Sequence, residues 1–228
     1  MPALFVTATG TDIGKTFVTT NLIRHLREKK IAVDALKPIV SGFDPQHADR
    51  SDSGALLQAL GRSLSEEEIA DISPWRFAAP LSPDMAARHD GKEEVAFDQL
   101  LSFCEAAIED ADGALLIEGV GGVMVPLDQE NTVLDWIAEL DIPSILVAGS
   151  YLGAISHTLT AAEVMDTEGC ALSTIVVSET EGSHVPLYET AATIARLLPG
   201  IDVVTLPRLA PGADHPAFGQ IAKSAGLL

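Results

Sequence analysis

The apolar and polar positions of this chain follow two alternating periods. Short apolar runs rich in β-branched residues predict strands at residues 3–7, 31–36, 114–117, 144–148, 172–177 and 201–206. Between them, apolar residues spaced three and four apart predict helices at residues 16–29, 52–60, 95–109, 131–140, 153–167 and 185–198. Residues 62–92 carry Pro74, Pro80 and Pro83 as helix breakers, and they predict an irregular connection.

Strands that alternate with helices in this way indicate an α/β fold with a mostly parallel sheet. The strand segments are continuous apolar runs, which is typical of a sheet covered by helices on both faces. The chain shows no internal repeat, linker or low-complexity tract. We therefore expect residues 1–228 to form a single domain.

The charge balance is strongly acidic. The chain has 14 Lys and Arg residues against 33 Asp and Glu residues, a formal net charge of −19, and 47% of its residues are hydrophobic. This composition is globular and argues against disorder. An acidic surface repels phosphate backbones, so we expect no nucleic-acid partner. One small phosphorylated ligand in a locally positive pocket remains compatible with this charge.

Targeting and metal-binding signals are weak. The sequence starts without a basic and apolar leader, and it has no apolar run of the roughly 20 residues that a membrane span needs. Its two cysteines, Cys104 and Cys170, and its six scattered histidines show no spacing typical of zinc ligands. We expect a cytoplasmic protein in a reducing compartment, without a membrane partner.

A glycine-containing loop separates the first predicted strand from the first predicted helix. It ends in Gly14, Lys15 and Thr16, where backbone N–H groups and a helix N-terminus can surround phosphate oxygens. In such a loop the lysine reaches the β- and γ-phosphates and the threonine hydroxyl binds Mg²⁺. A strict P-loop would need its first glycine at Thr9, so this loop fits only with one extra residue. The alternative is an ordinary strand-to-helix turn, but the position favours a P-loop NTPase-like nucleotide site.

Two further charged residues follow predicted strands. Lys37 follows the second strand, and Glu118 closes the run 114–117 before a glycine-rich turn. Because ligands of open α/β sheets bind beyond the carboxyl ends of the strands, we expect both residues beside Lys15. A carboxylate there can hold Mg²⁺ or its waters, and a second lysine can stabilise a transferring phosphoryl group. A solvated strand-end glutamate and a surface lysine before a turn are the alternatives.

Several motifs in order resemble the ATP-dependent dethiobiotin synthetases of biotin biosynthesis. The resemblance covers nearly the whole chain. The resemblance rests on these segments: TGTDIGKT at 9–16, KPIVSG at 37–42, Ser51-Asp52 before a helix, PLSP at 80–83, EGVGG at 118–122, and Leu152-Gly153 ahead of His157.

This resemblance implies a ligase reaction. The substrates are 7,8-diaminononanoate, CO₂ and ATP, and Mg²⁺ is the cofactor. One amine captures CO₂ as a carbamate, which attacks the γ-phosphate of ATP to give a carbamic–phosphoric anhydride. The second amine then closes the cyclic urea of dethiobiotin. The family also implies a homodimer with each active site at the subunit interface.

The resemblance also implies roles for individual residues. Lys37, Lys15 and Thr11 are the catalytic set, and Thr16, Asp52 and Glu118 surround Mg²⁺. Residue type and position alone do not favour Asp52 over Asp49. The implied substrate-binding residues are Ser41, Ser150, Tyr151, Leu152, Gly153, Ala154 and Tyr188. The implied nucleotide-binding residues are Asp12, Ile13, Gly14, Lys15, Thr16, Phe17, Asp52, Glu118, Gly119, Val120, Gly121, Ser178, Glu179, Pro207, Arg208 and Leu209.

The chain departs from the family pattern at a few positions. Ala8 and Gly10 replace the usual Gly and Asp, Asp12 replaces Glu, and Ser178 replaces an Asn that reads adenine in some members. Tyr151 occupies a position where other members can have a basic residue. We therefore expect a relaxed preference for the base.

Three other protein classes remain as alternatives. A partitioning ATPase of the deviant P-loop class would need a lysine at position 10, where this chain has glycine. A cobyrinate-type amide synthetase would need a further glutaminase domain. A nucleotide-binding module without chemistry would leave Lys37 and Ser41 without a role.

Overall fold

The computed structural model describes residues 3–210 and 215–228. Within them the strands are β1 (Ala3–Ala8), β2 (Val33–Leu36), β3 (Ile39–Ser41), β4 (Trp75–Phe77), β5 (Ala114–Glu118), β6 (Ser144–Gly149), β7 (Leu172–Ser178) and β8 (Asp202–Leu206). The helices are α1 (Lys15–Glu28), α2 (Asp52–Leu60), α3 (Glu66–Ile72), α4 (Pro83–Asp90), α5 (Phe97–Asp110), α6 (Val133–Leu140), α7 (Ala154–Thr167), α8 (Leu187–Leu197) and α9 (Pro216–Ser224). A 3₁₀ turn spans Pro45–Arg50.

Six strands of the described residues form one sheet in the order β2-β5-β1-β6-β7-β8, and every neighbouring pair is parallel. Helices cover both faces, so the predicted α/β architecture is confirmed. The central strand β1 is buried along its whole length. The ring of Phe5 packs edge-on against Trp136 of α6, with centroids 4.8 Å apart.

The strand order reverses beside β1, and this reversal positions the site. The chain leaves β1 toward β2 and β5 on one side, and later returns to β6 on the other. At such a switch point the loops that follow neighbouring strands diverge and leave a crevice at the carboxyl ends. The loop after β1, Lys37 after β2 and Glu118 at the end of β5 all reach this edge.

The prediction of an irregular connection over residues 62–92 is wrong. This segment contains α3, β4 and α4, and β4 pairs in parallel with β3 as a small second sheet. Pro83 lies in the first turn of α4, where its missing N–H needs no helical partner, so it begins a helix and does not break one. The Ser65 side chain accepts a hydrogen bond from the Glu68 N–H and caps α3.

The C-terminal helix α9 was not predicted. It packs against α1, where the rings of Phe218 and Phe17 lie 6.2 Å apart. No helix of the described residues is long and apolar enough to cross a bilayer.

Candidate active site

The loop between β1 and α1 has the backbone conformation that a phosphate site requires. Gly14 adopts φ 113°, which favours glycine, and Asp12 also has a positive φ of 58°. The helix begins at once with Lys15, and the Val18 N–H donates to the Gly14 carbonyl. The N–H groups of the first turn are therefore available to an anion.

The Lys15 ammonium is buried and points across the crevice. Its Nζ lies 2.7 Å from the carbonyl oxygen of Gly121 and 3.3 Å from that of Gly10. Burial and the neighbouring Lys37 lower the pKa of Lys15 to about 8, although Glu118, Asp52 and Asp12 act in the opposite direction. A phosphate placed beside Lys15 would favour its charged form.

Lys37 lies deeper and is held by oxygen atoms. Its Nζ is 2.8 Å from Glu118 Oε1, 2.7 Å from the Gly119 carbonyl oxygen and 3.1 Å from Asp52 Oδ2. Burial opposes the charge, but the Glu118 and Asp52 carboxylates outweigh it and raise the pKa of Lys37 above its usual value. Lys37 is therefore a fixed cation at the floor of the crevice.

The predicted metal ligands converge on one point. The Thr16 hydroxyl lies 2.9 Å from Asp52 Oδ1 and 2.7 Å from Glu118 Oε1. Burial disfavours the ionised form of Asp52, but Lys37 and the Thr16 hydroxyl hold the pKa of Asp52 below its usual value.

These groups fit Mg²⁺. The described residues contain no group of three or more His, Cys, Asp or Glu side chains suited to a metal. Mg²⁺ does not need one, because it keeps several waters and binds through one or two carboxylates and substrate phosphates. Glu118 is fully buried, and its Oε2 has no hydrogen-bond partner among the described residues. Two carboxylates and a hydroxyl are the hard oxygen ligands that this ion prefers.

Two cavities meet at the phosphate loop. The first cavity, of about 750 Å³, is lined by the predicted residues Thr11, Asp12, Gly14, Lys15, Thr16, Phe17, Lys37, Ser41, Asp52, Val120 and Gly121. The second cavity, of about 690 Å³, is lined by the predicted residues Asp12, Ile13, Gly14, Phe17, Ser178, Glu179, Pro207, Arg208 and Leu209. Glu118 and Gly119 contact Lys37 from behind the first cavity.

The predicted substrate-binding loop is not part of either cavity. Ser150, Tyr151, Leu152, Gly153, Ala154 and Tyr188 line neither one. Leu152 is 91% exposed and Tyr188 is 68% exposed. The Tyr151 hydroxyl instead lies 2.8 Å from His157 Nδ1 on α7. Within one chain these residues therefore line neither cavity, although Ser150 is hydrogen-bonded to Thr180, which lines the second one.

Sequence reasoning missed several residues that line the cavities. In the first cavity these are Arg50 and Val125, together with motif residues to which no site role is assigned: Val40, Gly42, Ser51, Pro80, Leu81 and Ser82. In the second cavity they are Thr20, Arg24, Thr180 and Glu181. Helical spacing is the signal for two of these, because Thr20 and Arg24 follow Phe17 by three and seven positions on α1.

One family model and several solved structures match nearly the whole chain. A family model described as AAA domain matches residues 2–210. The cell division ATPase MinD of Pyrococcus furiosus is 14% identical with a TM-score of 0.57, and 99% of each chain is covered. The septum site-determining protein MinD of Pyrococcus horikoshii, solved with Mg-ADP, is 16% identical with a TM-score of 0.55, covering 90% of this chain and 81% of that one. At this identity the likeness concerns the fold alone.

Comparison of sequences is more specific. The ATP-dependent dethiobiotin synthetase BioD of Acidiphilium cryptum is 48% identical over 87% of this chain and 89% of its own. The protein of the same name from Methylobacterium nodulans is 46% identical over 96% and 97%. That from Caulobacter sp. strain K31 is 46% identical over 91% and 89%. Together with the crevice at the sheet edge, these relatives show that the chain belongs to the ATP-dependent dethiobiotin synthetase family.

Proposed function

We propose that this chain is a ligase that forms the cyclic urea of dethiobiotin from 7,8-diaminononanoate, CO₂ and ATP. The observation that carries this proposal is the Lys37 ammonium, buried against Glu118 and the Gly119 carbonyl at the floor of a cavity that also contains the phosphate loop. A plain nucleotide site has no need for this second buried cation. Residues 1–228 act as one domain in this proposal.

The chemistry transfers one phosphoryl group and closes one ring. An amine nitrogen bonds to the carbon of CO₂ and loses a proton, which gives a carbamate. A carbamate oxygen displaces ADP from the γ-phosphorus. The second amine then attacks the carbamate carbon, phosphate leaves with that oxygen, and dethiobiotin is released. Such reactions depend mainly on positioning and on stabilising charge.

The two lysines stabilise different parts of the negative charge of the substrates. Lys37 contacts the carbamate and the γ-phosphate, and it stabilises the negative charge that both share in the transition state. Lys15 exchanges its contacts with the Gly121 and Gly10 carbonyl oxygens for the phosphates of ATP. Thr11 and Ser41 contact the carbamate end of the substrate, and both line the first cavity. The buried Ser41 hydroxyl has no hydrogen-bond partner among the described residues, which suits a ligand-binding group.

In this proposal Thr16, Asp52 and Glu118 hold Mg²⁺, and the ion, when bound, would neutralise part of the phosphate charge. The second cavity takes the base of ATP between Phe17 and the segments 178–179 and 207–209. The phosphate loop joins the two cavities at Asp12, Gly14 and Phe17.

A second copy of the chain completes the substrate site. Leu152 and Gly153 are exposed in the loop 150–154, which leads into α7, and a helix N-terminus suits the substrate carboxylate. Because this loop and Tyr188 line neither cavity of their own chain, we infer that they cover the crevice of a partner. Sedimentation should give a dimer, and a monomer fully active at nanomolar concentration would contradict this arrangement. The two free cysteines, Cys104 and Cys170, support a cytoplasmic location.

The direct test is product formation. Purified protein is mixed with the diamine, bicarbonate, MgATP and no other enzyme, and dethiobiotin and ADP are measured by mass spectrometry. We expect one ADP per dethiobiotin and no product without any one component. ATP hydrolysis that is independent of the diamine, with no dethiobiotin formed, would overturn the proposal and favour a switch-type ATPase.

A further inference from the structure

Arg24 is a cation in the second cavity that neither the sequence motifs nor the proposed reaction uses. It lies on α1, on the same helical face as Phe17 and Thr20, which also line this cavity. Side chains on a helix incline toward its N-terminus, so the Arg24 guanidinium extends toward the phosphate loop and the base side of the crevice.

Arg208, the other cation that lines this cavity, is already paired. The Arg208 guanidinium lies 2.7 Å from Glu181 Oε2, and the Arg208 N–H donates to Glu179 Oε2 over 2.8 Å. Arg24 makes one long contact, 3.3 Å from its Nη1 to Asn21 Oδ1 of its own helix. It has no carboxylate partner among the described residues. Most of its five N–H donors are therefore available to a ligand.

The chemistry of the guanidinium determines which ligand edge it favours. Arginine donates and cannot accept, so it suits two adjacent acceptors. Guanine offers O6 and N7 as such a pair, whereas adenine offers N7 beside the N6 amino group, which is itself a donor. Adenine also lacks the carbonyl oxygen that guanine, cytosine and uracil carry.

We propose that Arg24 is a specificity-determining residue that contacts the nucleobase and favours bases with a carbonyl oxygen over adenine. The inference rests on the proposed nucleotide site. It adds to the expectation from Ser178, because a hydroxyl relaxes the selection of adenine, whereas Arg24 gives the competing bases a contact of their own. Ser178 and Arg24 both line the cavity and lie on different elements, β7 and α1.

The test is displacement of a fluorescent ADP analogue by ADP and by GDP. We expect Arg24→Leu to weaken the binding of GDP about tenfold more than that of ADP, the discrimination typical of one bidentate pair. Arg24→Lys keeps the charge but loses the planar fork, so it should lose most of the same discrimination. The control is Arg196→Leu on α8, which removes an exposed arginine that lines neither cavity, and it should leave both affinities unchanged.

Equal weakening of ADP and GDP would overturn the inference, because it would indicate a general charge or folding role. Unchanged affinity for both nucleotides would overturn it as well. If Arg24→Leu melts at a lower temperature than the wild type, Arg24→Lys carries the test. This binding experiment is done without the diamine. A failure to form dethiobiotin would therefore reject the proposed function, but it would not change what the ADP and GDP affinities show about Arg24.

Discussion

The two cavities that meet at Phe17 hold their charges differently. In the first cavity, Lys37 and Glu118 are buried and joined by short contacts to each other and to Asp52 and Thr16. In the second cavity, the pair between Arg208 and Glu181 is exposed to solvent. Buried charges depend on every partner, whereas exposed pairs contribute little each. The first cavity should therefore tolerate substitution poorly, and the second should adjust to different bases.

The largest expected effect is at Lys37. Lys37→Ala should lower kcat by about 10³ or more, because the cation acts on transition-state charge, and it should leave nucleotide binding largely intact. Turnover with the diamine and displacement of bound nucleotide measure the two effects separately. Lys223→Ala, an exposed lysine on α9, is the matched control. Near-normal turnover of Lys37→Ala would show that the first cavity is not the reaction centre.

Lys15 should affect binding as well as turnover. Lys15→Ala should weaken ADP binding by about tenfold to a hundredfold, the range for hydrogen bonds to a charged group. The lowered pKa of Lys15, about 8, adds a pH dependence. Below pH 8 the ammonium is charged before the nucleotide arrives, and above it binding must also take up a proton. ADP affinity of the wild type should therefore fall as pH rises above 8, and this slope should be absent in Lys15→Ala.

The carboxylates should control the Mg²⁺ requirement. Glu118→Gln should raise the Mg²⁺ concentration needed for half-maximal activity by about tenfold, and Asp52→Asn should act in the same direction but less strongly. Asp52 is the weaker case because its side chain is 43% exposed. Asp49→Asn is the control, since Asp49 lies in the neighbouring 3₁₀ turn and lines neither cavity. Unchanged Mg²⁺ titrations of both variants would remove them from the metal site.

The smallest effect is expected in the second cavity. We predict that ATP, CTP and GTP all support turnover at rates within about tenfold of one another, because Ser178 supplies a single hydroxyl and one hydrogen bond is worth about 1 kcal/mol. Rates at subsaturating nucleotide measure this preference. A preference for ATP above about a hundredfold would mean that backbone groups read the base, and that the second cavity is as selective as the first.

Most of the sheet could be predicted because its central strands β1, β5 and β6 are buried along their whole length and are rich in apolar residues. The segment 62–92 could not, because short helices carry little periodicity and a proline such as Pro83 is equally compatible with a helix start and a helix end. Its capping pattern was present, since Ser65 precedes Glu68 by three positions. A proline marks a boundary, and the residues before it decide whether a helix ends or begins there.

Lys15, Thr16 and Glu118 could be predicted from residue type and position at strand ends. The sequence alone could not show whether Asp49 or Asp52 is the metal ligand. The 3₁₀ turn at 45–50 determines where α2 begins, and therefore which of the two carboxylates lies beside Lys37. Arg24 was missed for a related reason. A charged residue two turns into a helix is typical of a solvent-exposed face, and only the fold shows that 178–181 and 207–209 line the same cavity as Arg24.

The fate of one oxygen atom tests the central claim most directly. Protein, diamine and MgATP in ordinary water are given a pulse of ¹⁸O-labelled CO₂, and the released phosphate is analysed by mass spectrometry after rapid quenching, with correction for exchange of CO₂ with water. If a carbamate oxygen attacks the γ-phosphorus, each dethiobiotin formed is accompanied by one phosphate carrying one ¹⁸O. Phosphate without the label, formed together with dethiobiotin or in its absence, would contradict the account.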